Sequence, residues 1–252
     1  MGRPMVKRLV EAGHQVRAVG RTAANRHDIE ELGASAVAGM AGAAEQADVV
    51  VICVFNDEQV RQVCLDPAFS SVLRPGSALV VHTTASPATI DAIAAGAPEV
   101  EVLDAPVSGG PHDAATGRLT LYVGGTHDTV TRLLPVLACY GDPVLHVGPR
   151  GAGQKVKLVN NALFAGHIGL LAESVRLAER LGVPEPTLLE ALSHGSAASR
   201  VLSIVARTGS VASFIEARGE FVGKDIAAIR NTVGDLGGLD EAINAMRIAG
   251  KV

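Results

Sequence analysis

The pattern of apolar and polar positions divides this chain into two halves. Up to residue 147, short apolar runs alternate with segments in which apolar residues recur at the helical period of about 3.6 positions. The run at 48–55 is continuous and rich in valine, as is typical of a parallel strand covered on both faces. Single helices between strands give βαβ units, so this half predicts a doubly wound parallel sheet. The predicted strands are 14–20, 34–38, 48–55, 77–84, 100–107, 119–125 and 143–147, and the predicted helices are 1–13, 26–33, 41–46, 57–65, 86–95 and 127–139.

From residue 151 onward the pattern is helical only. Gly151 and Gly153 open a segment that keeps the helical period to residue 182, far beyond the roughly 11–12 residues of an average helix. One long, mostly buried helix is therefore predicted, followed by helices at 184–194, 199–208, 214–236 and 239–248. The sequence thus predicts an α/β domain over residues 1–149 and an all-helical domain over residues 150–252. The long helix begins at their junction, where ligand sites tend to form.

Composition and charge exclude several classes of protein. Hydrophobic residues make up 48% of the 252 positions, with five Phe, two Tyr and no Trp, which favours a helix-and-strand enzyme over a β-sandwich. A net charge of −4 gives no basic surface for nucleic acid. No apolar run reaches the roughly 18 residues of a membrane span, and the N-terminus does not resemble a signal peptide. We therefore expect a cytoplasmic protein with no membrane or nucleic-acid partner.

Cysteine and histidine do not form the patterns of a metal site. Cys53, Cys64 and Cys139 lie in apolar segments without CxxC spacing and are predicted to be buried, reduced thiols. The eight histidines show neither HxxxH nor HxH spacing, so His82 and His167 are interpreted as core or rim residues rather than ligands. No metal site is predicted.

Lys157 and Asn161 are the first candidates for chemistry. They are four residues apart on the predicted long helix, so an amine and an amide lie on one helical face. An amine in this position can donate a proton to a carbonyl oxygen while hydride arrives at the carbon. The alternative is a lysine that extends from the helix surface into water. Lys155, two residues away, points to a different face and serves as an internal control.

Ser108, Gly109 and Gly110 form a second candidate site. They follow a predicted strand, at the carboxyl edge of the sheet where open α/β proteins bind ligands. Two glycines let backbone N–H groups approach an anion, and the serine hydroxyl adds a donor, which suits a carboxylate. The alternative is an ordinary glycine-rich turn.

Further strand ends favour a dinucleotide cofactor. Arg21 and Thr22 follow the first predicted strand, where NAD enzymes usually carry an acidic residue and NADP enzymes carry arginine and hydroxyl donors for the 2′-phosphate. No acidic residue occurs there before Asp28, so NADP is favoured and NAD remains possible. Val54–Phe55 and Thr83–Thr84 end neighbouring strands, where they would flank the nicotinamide or serve only in packing.

The start of the chain bears on the same cofactor. A dinucleotide-binding sheet ordinarily begins with a strand whose GxGxxG turn places the pyrophosphate at the N-terminus of the next helix. Here that helix opens the chain, so Gly2 is interpreted as the last glycine of the motif, and the preceding strand is not in this sequence. Lys224, beside Asp225, is interpreted either as a cofactor contact or as half of a surface ion pair.

Taken together, these residues resemble the β-hydroxyacid dehydrogenases, the group of 3-hydroxyisobutyrate dehydrogenase, tartronate semialdehyde reductase and glyoxylate/succinic semialdehyde reductases, to which 6-phosphogluconate dehydrogenase is a more distant relative. The resemblance covers nearly the whole chain. Its motifs are Gly2-Arg-Pro-Met, Gly20-Arg-Thr22, Thr83-Thr-Ala-Ser-Pro87, Asp104-Ala-Pro-Val-Ser-Gly-Gly110, Gly151-Ala-Gly-Gln with Lys157 and Asn161, and Lys224-Asp225.

The resemblance implies a Rossmann domain followed by a helical substrate and dimerisation domain, with the active site in the cleft between them. It implies that Lys157 is the catalytic acid/base, that Asn161 hydrogen-bonds the substrate, and that Ser108, Gly109 and Gly110 hold the substrate carboxylate. The residues that it implies at the cofactor are Arg21, Thr22, Val54, Phe55, Thr84 and Lys224. Gly2, interpreted above as the last glycine of the GxGxxG motif, is also expected at the cofactor.

The resulting hypothesis is an NADP- or NAD-dependent oxidoreductase that interconverts a small 3-hydroxy acid and its semialdehyde. A homodimer or homotetramer formed through the helical domain is expected. Two alternatives stay open: an imine reductase-like enzyme, whose pocket need not bind a carboxylate, and a non-catalytic remnant of the fold with impaired cofactor binding.

Overall fold

The computed structural model describes residues 1–250, with side chains as far as residue 245. The chain forms two compact units, Met1–Lys157 and the helical unit that begins at Leu158. The strands are β1 Arg17–Val19, β2 Ser35–Val37, β3 Val49–Ile52, β4 Ala78–Val81, β5 Glu101–Asp104, β6 Val107–Ser108, β7 Leu119–Gly124 and β8 Gly141–Gly148. The helices are α1 Gly2–Glu11, α2 Ala23–Glu31, α3 Met40–Ala44, α4 Asp57–Cys64, α5 Pro67–Ser70, α6 Pro87–Gly96, α7 Pro111–Ala115, α8 His127–Leu137, α9 Ala152–Arg180, α10 Glu185–His194, α11 Arg200–Ala206, α12 Val211–Val233 and α13 Leu239–Gly250.

The first unit is built on strands that pair mainly in parallel. β3, β4 and β5 are parallel neighbours in a six-stranded sheet, and β1 pairs in parallel with β2 in a separate two-stranded sheet. β4 is buried throughout: Leu79 and Val81 face one apolar cluster, and Ala78 and Val80 face another. Successive side chains of a strand point to opposite faces, so this strand is covered on both sides, as its apolar sequence requires.

The predicted α/β class of the Rossmann type is confirmed, with one difference in strand direction. β7 runs antiparallel to β5 and β6, and β8 pairs in parallel with β7. The predicted strand at 100–107 is divided into β5 and β6, because Pro106 has no N–H to donate to a strand ladder. β6 lies beside β7, and the short helix α7 turns the chain back between them, so the two strands meet in opposite directions.

The second unit is helical, as predicted, and is organised around the 29-residue helix α9. Ala165, Ile168 and Ala172 of this helix are buried with Phe214 and Ile226 of α12 in one apolar cluster. The long helix and the four helices after it were all predicted from the 3.6-residue period. Within the described residues, we find no helix that is both long and apolar enough to span a bilayer.

Candidate active site

Asp104, the last residue of β5, fastens the start of α9 to the sheet. Its carboxylate is fully buried and accepts hydrogen bonds from the N–H groups of Gly151, at 2.6 Å, and Gln154, at 2.7 Å. The first N–H groups of a helix have no partner within the helix, and a negative charge there also meets the positive end of the helix dipole. Burial raises the pKa of Asp104, and the hydrogen bonds from Gly151 and Gln154 act in the opposite direction.

Two glycines make this close approach possible. A Cβ atom at Gly153 would lie 2.2 Å from the carbonyl oxygen of Tyr122 and 2.8 Å from Oδ2 of Asp104. A Cβ atom at Gly124, the last residue of β7, would lie 2.4 Å from Oδ1 of Asp104. Backbone atoms cannot move aside as a flexible side chain can, so the first turn of α9 lies against β5 and β7 only because both positions lack a side chain.

Gln154 ties the same helical turn to the end of β4. Its side-chain oxygen accepts a hydrogen bond from the N–H of Ala85, and its side-chain nitrogen donates to the carbonyl oxygen of Thr83, both at 2.9 Å. The side chain is fully buried. Thr84, a predicted cofactor residue, is therefore flanked by two peptide groups that this glutamine holds.

The two lysines of this helix have different environments. Lys157 is buried, with 9% of its surface exposed, whereas Lys155 is exposed. Asn161, one turn further along α9, is 7% exposed, and its side-chain nitrogen has no hydrogen-bond partner in the part of the chain that the structure describes. Its side-chain oxygen accepts a hydrogen bond from Asn160. An unpartnered, buried amide donor is costly, so it marks a place where a ligand atom could bind.

The turn at Ser108–Gly110 is preorganised by Asp113. Gly109 has φ +133°, and a Cβ atom there would lie 2.9 Å from the Leu119 side chain, so glycine is required. The N–H of Gly110 donates to Oδ2 of Asp113 at 2.7 Å, which closes the first turn of α7. The predicted use of the Gly110 amide for a substrate carboxylate therefore requires that it exchange this partner.

The ends of β3 and β4 are cross-linked by a threonine. The hydroxyl of Thr83 accepts a hydrogen bond from the N–H of Val54 and donates to its carbonyl oxygen, both at 2.9 Å. Val54 and Thr84 are half-buried beside this link, and Phe55 is exposed. The structure therefore brings these three predicted cofactor residues to one edge of the sheet.

Arg21 and Thr22 lie in the turn between β1 and α2. Thr22 caps α2 by accepting a hydrogen bond from the N–H of Asn25 at 3.1 Å, and the Arg21 side chain is exposed. Arg26, which the sequence analysis did not single out, donates from its guanidinium group to the carbonyl oxygen of Gly20. This contact fixes the turn that carries both residues.

The remaining predicted cofactor residues are less constrained. Gly2 is the first residue of α1, and a Cβ atom there would meet no neighbour within 4 Å. Lys224, on α12 of the second unit, forms an ion pair with Asp225 at 3.3 Å. An ion pair between these two residues was one of the two interpretations of the sequence. The other interpretation, a contact between Lys224 and the cofactor, stays a prediction.

His82 is a satisfied core residue, as interpreted from the sequence. It is buried, with its Nδ1 2.6 Å from the carbonyl oxygen of Ala105 and its Nε2 2.9 Å from the hydroxyl of Tyr140. A carbonyl oxygen can only accept, so Nδ1 carries the hydrogen and Nε2 accepts from Tyr140. Burial lowers the pKa of His82 to about 4. Among the described residues, no group of three or more His, Cys, Asp or Glu side chains could hold a metal ion.

Comparison with known proteins identifies the family. Residues 1–148 match the NAD binding domain of 6-phosphogluconate dehydrogenase, and residues 151–237 match the domain described as the NAD-binding domain of NADP-dependent 3-hydroxyisobutyrate dehydrogenase. The chain belongs to the β-hydroxyacid dehydrogenase family. As a β-hydroxyacid dehydrogenase, it is an oxidoreductase that uses a nicotinamide cofactor.

Individual relatives agree with this assignment. An uncharacterized oxidoreductase of Shewanella frigidimarina is 37% identical over 203 residues, which cover 79% of this chain and 70% of that protein. The probable 3-hydroxyisobutyrate dehydrogenase-like 1, mitochondrial, of Arabidopsis thaliana is 36% identical over 208 residues, 81% of this chain and 62% of that protein. The solved structure of Mycobacterium tuberculosis 3-hydroxyisobutyrate dehydrogenase with L-serine superimposes with a TM-score of 0.84 at 28% identity, covering 100% of this chain and 89% of that chain.

The hydrogen bonds that hold the candidate site together were not predicted from the sequence. Asp104 and Gln154 belong to the motifs of the resemblance but were assigned no role, and the cross-link by Thr83 was not predicted. A signal was present, because a charged residue at the end of an otherwise apolar strand needs a polar partner when it is buried.

Proposed function

We propose that this β-hydroxyacid dehydrogenase interconverts a small 3-hydroxy acid and its semialdehyde, with Lys157 as the acid/base. The observation that carries the proposal is the buried Lys157, on a helix whose first turn is hydrogen-bonded to the ends of β4 and β5. In this fold, ligands bind at the carboxyl ends of the strands. The nicotinamide, when bound, supplies the hydride for reduction and accepts it in oxidation.

Lys157 moves the proton in this scheme. In the reductive direction its ammonium group donates to the carbonyl oxygen of the semialdehyde as that oxygen becomes a hydroxyl, and in oxidation the amine takes the proton back. The unpartnered side-chain N–H of Asn161, one turn away on α9, donates a hydrogen bond to the same oxygen and orients it. Two donors on one oxygen stabilise the negative charge that develops there.

The substrate carboxylate would be held by the turn after β6. The Ser108 hydroxyl forms no hydrogen bond within the described part of the chain, and the backbone N–H of Gly109 would be the second donor to the carboxylate. The Gly110 amide joins them when it leaves Asp113. Ser108 lies four residues after Asp104, and Lys157 lies one helical turn after Gln154. The hydrogen bond between Gln154 and Asp104 therefore connects the segments that carry Ser108 and Lys157.

We infer that NADP is preferred and that NAD is possible. Arg21 is exposed at the turn after β1, where the adenosine ribose of a dinucleotide lies, and no acidic residue follows before Asp28. Thr22 accepts from Asn25 with its oxygen, so its own O–H is available to a phosphate oxygen. Gly2, Val54, Phe55, Thr84 and Lys224 complete the proposed cofactor contacts.

The domain roles and the assembly are part of the same proposal. Residues 1–149 would bind the cofactor, and residues 150–252 would complete the substrate site and form a homodimer or homotetramer in the cytoplasm. On α9, the exposed Val159, Leu163, Leu170 and Leu177 are spaced by four or seven positions and form one apolar face. Leu170 and Leu177 also line an apolar groove of about 450 Å³, together with residues that include Leu181, Leu188 and Leu192. A second copy of the helical unit is the occupant we propose.

A substrate panel tests the reaction. The panel contains 3-hydroxyisobutyrate, L-serine, short semialdehydes and cyclic imines, each assayed with NADP(H) and NAD(H), and cofactor binding is measured by calorimetric titration. Turnover of a carboxylate-bearing substrate is expected. Turnover of imines alone would favour the imine reductase alternative, and no binding of either cofactor would favour a non-catalytic remnant.

A further inference from the structure

We propose that Asp104 and Gln154 are positioning residues, which fix the place and rotation of α9 and so set where the Lys157 amine lies. The inference rests on the role proposed for Lys157 above. Neither residue needs to touch the substrate, because each acts on the helix that carries the acid/base.

The cap that Asp104 provides comes from a distant part of the chain. α4, α6 and α11 are capped by the residue that directly precedes each of them, namely Asn56, Ser86 and Ser199. The first turn of α9 is instead capped by a side chain 47 positions earlier, from the end of β5. A local cap stabilises a helix wherever that helix lies, whereas this cap also ties the helix to one strand.

Gln154 supplies the second constraint. Asp104 holds the N-terminal end of α9, and a helix held only at that end could still rotate about its own axis. The Gln154 side chain projects from the helix surface and bonds Thr83 and Ala85 at the end of β4, which fixes the rotation. Lys157 is three residues further on, so it lies on nearly the same face as Gln154.

The two anchors also connect the proposed cofactor and acid/base residues. Thr83 and Ala85 flank Thr84 at the proposed nicotinamide edge, and Gln154 binds both of their peptide groups. One hydrogen-bonded unit therefore holds both Thr84, at the proposed nicotinamide site, and the helical turn that leads to Lys157, the proposed proton donor. A displacement of about 1 Å in such a geometry can cost about 100-fold in rate.

The test uses two variants, each with a matched control. Gln154→Met removes both side-chain hydrogen bonds at similar volume, and Gln62→Met makes the same change at an exposed position of α4. Asp104→Asn removes the buried charge, and Glu101→Gln makes the equivalent change at the exposed start of the same strand. We expect kcat of the Gln154 and Asp104 variants to fall about 10- to 100-fold, with KM and cofactor Kd changed by less than about threefold.

Hydrogen exchange gives a readout that does not depend on turnover. The amides of Ala85, Gly151 and Gln154 are the donors in these hydrogen bonds, and Gly151 and Gln154 donate to different oxygens of Asp104. We expect the Ala85 amide to exchange about tenfold faster in Gln154→Met, and one of the other two amides to do so in Asp104→Asn, because asparagine keeps only one of the two acceptor oxygens. The control variants should retain the exchange rates and kcat of the unmodified protein. If Asp104→Asn does not fold, Gln154→Met carries the test alone.

Two results would overturn the proposal. One is a folded Gln154→Met protein with unchanged kcat, and the other is an equal loss in kcat, cofactor affinity and thermal stability, which indicates a purely structural role. A Lys157→Ala variant distinguishes failure of this proposal from failure of the proposed function. If Lys157→Ala retains full turnover, the proposed function itself is wrong.

Discussion

Replacing Gly153 with alanine tests the close contact between α9 and the sheet. In most helices this change stabilises the protein by about 1 kcal/mol, because alanine is the better helix former. At Gly153, however, the new Cβ atom would lie 2.2 Å from the Tyr122 carbonyl oxygen and 2.8 Å from Oδ2 of Asp104. A normal carbon contact is about 3.5 Å, so the helix start must move outward by roughly 1 Å.

This movement has two costs. Overpacking a close contact costs about 1–3 kcal/mol. Weakening the hydrogen bonds to the Asp104 carboxylate costs about 1.5–3 kcal/mol for each bond that is lost. After the helix-propensity gain, we expect Gly153→Ala to lower the free energy of unfolding by about 2–4 kcal/mol. It should also lower kcat, because Lys157 moves with the helix.

Gly223→Ala is the matched control. Gly223 lies inside α12, it is exposed, and a Cβ atom there would meet no neighbour within 4 Å. We expect this variant to be as stable as the unmodified protein or more stable by up to about 1 kcal/mol. Urea unfolding followed by circular dichroism compares the three proteins. If Gly153→Ala proves as stable as Gly223→Ala, the close packing of α9 on β5 and β7 is refuted.

Three further predictions concern pH, the cofactor and assembly. In the unfolded chain His82 binds a proton below about pH 6.5, whereas burial lowers its pKa in the folded protein to about 4. The free energy of unfolding should therefore fall by up to about 3 kcal/mol as the pH is lowered from about 6.5 to about 4. Urea titrations of His82→Gln should lack this loss of stability, and the same pH dependence in both proteins would contradict the prediction. Arg21→Ala should weaken NADPH binding about 10- to 100-fold while leaving NADH binding nearly unchanged, and an equal loss for both in calorimetry would argue against a 2′-phosphate contact. Leu177→Asp should shift the protein to monomer in sedimentation experiments, whereas Leu134→Asp, at an exposed leucine of α8, should not; a Leu177→Asp protein that keeps the assembly of the unmodified chain would count against the proposed face.

Local patterns in the sequence were sufficient for most of the fold. The apolar run that contains β3 and the 3.6-residue period of α9 each reflect burial of a whole element, so each can be recognised within a short stretch of sequence. The direction of β7 could not be predicted, because it depends on how β6 and α7 turn the chain. The four-residue helix α5 was missed as well, since it is too short for a period to emerge.

The sequence suggests the residues of the candidate site but not how they are held in place. Lys157, Asn161 and Ser108 could be proposed because their chemistry and spacing are distinctive, and their roles stay predictions. The roles of Asp104 and Gln154 depend on hydrogen bonds between residues 47 to 71 positions apart, which no local pattern encodes. The Gly110 amide, expected to be open for substrate, donates to Asp113 instead, because that carboxylate caps α7.

The most direct test of the central claim compares Lys157→Ala with Lys155→Ala in steady-state turnover and cofactor titration. The two lysines share one helix, one buried and the other exposed. We predict that Lys157→Ala loses about 100- to 10,000-fold in kcat while cofactor Kd stays nearly constant, and that Lys155→Ala is unaffected. Turnover by Lys157→Ala equal to that of Lys155→Ala would contradict the assignment of Lys157 as the acid/base.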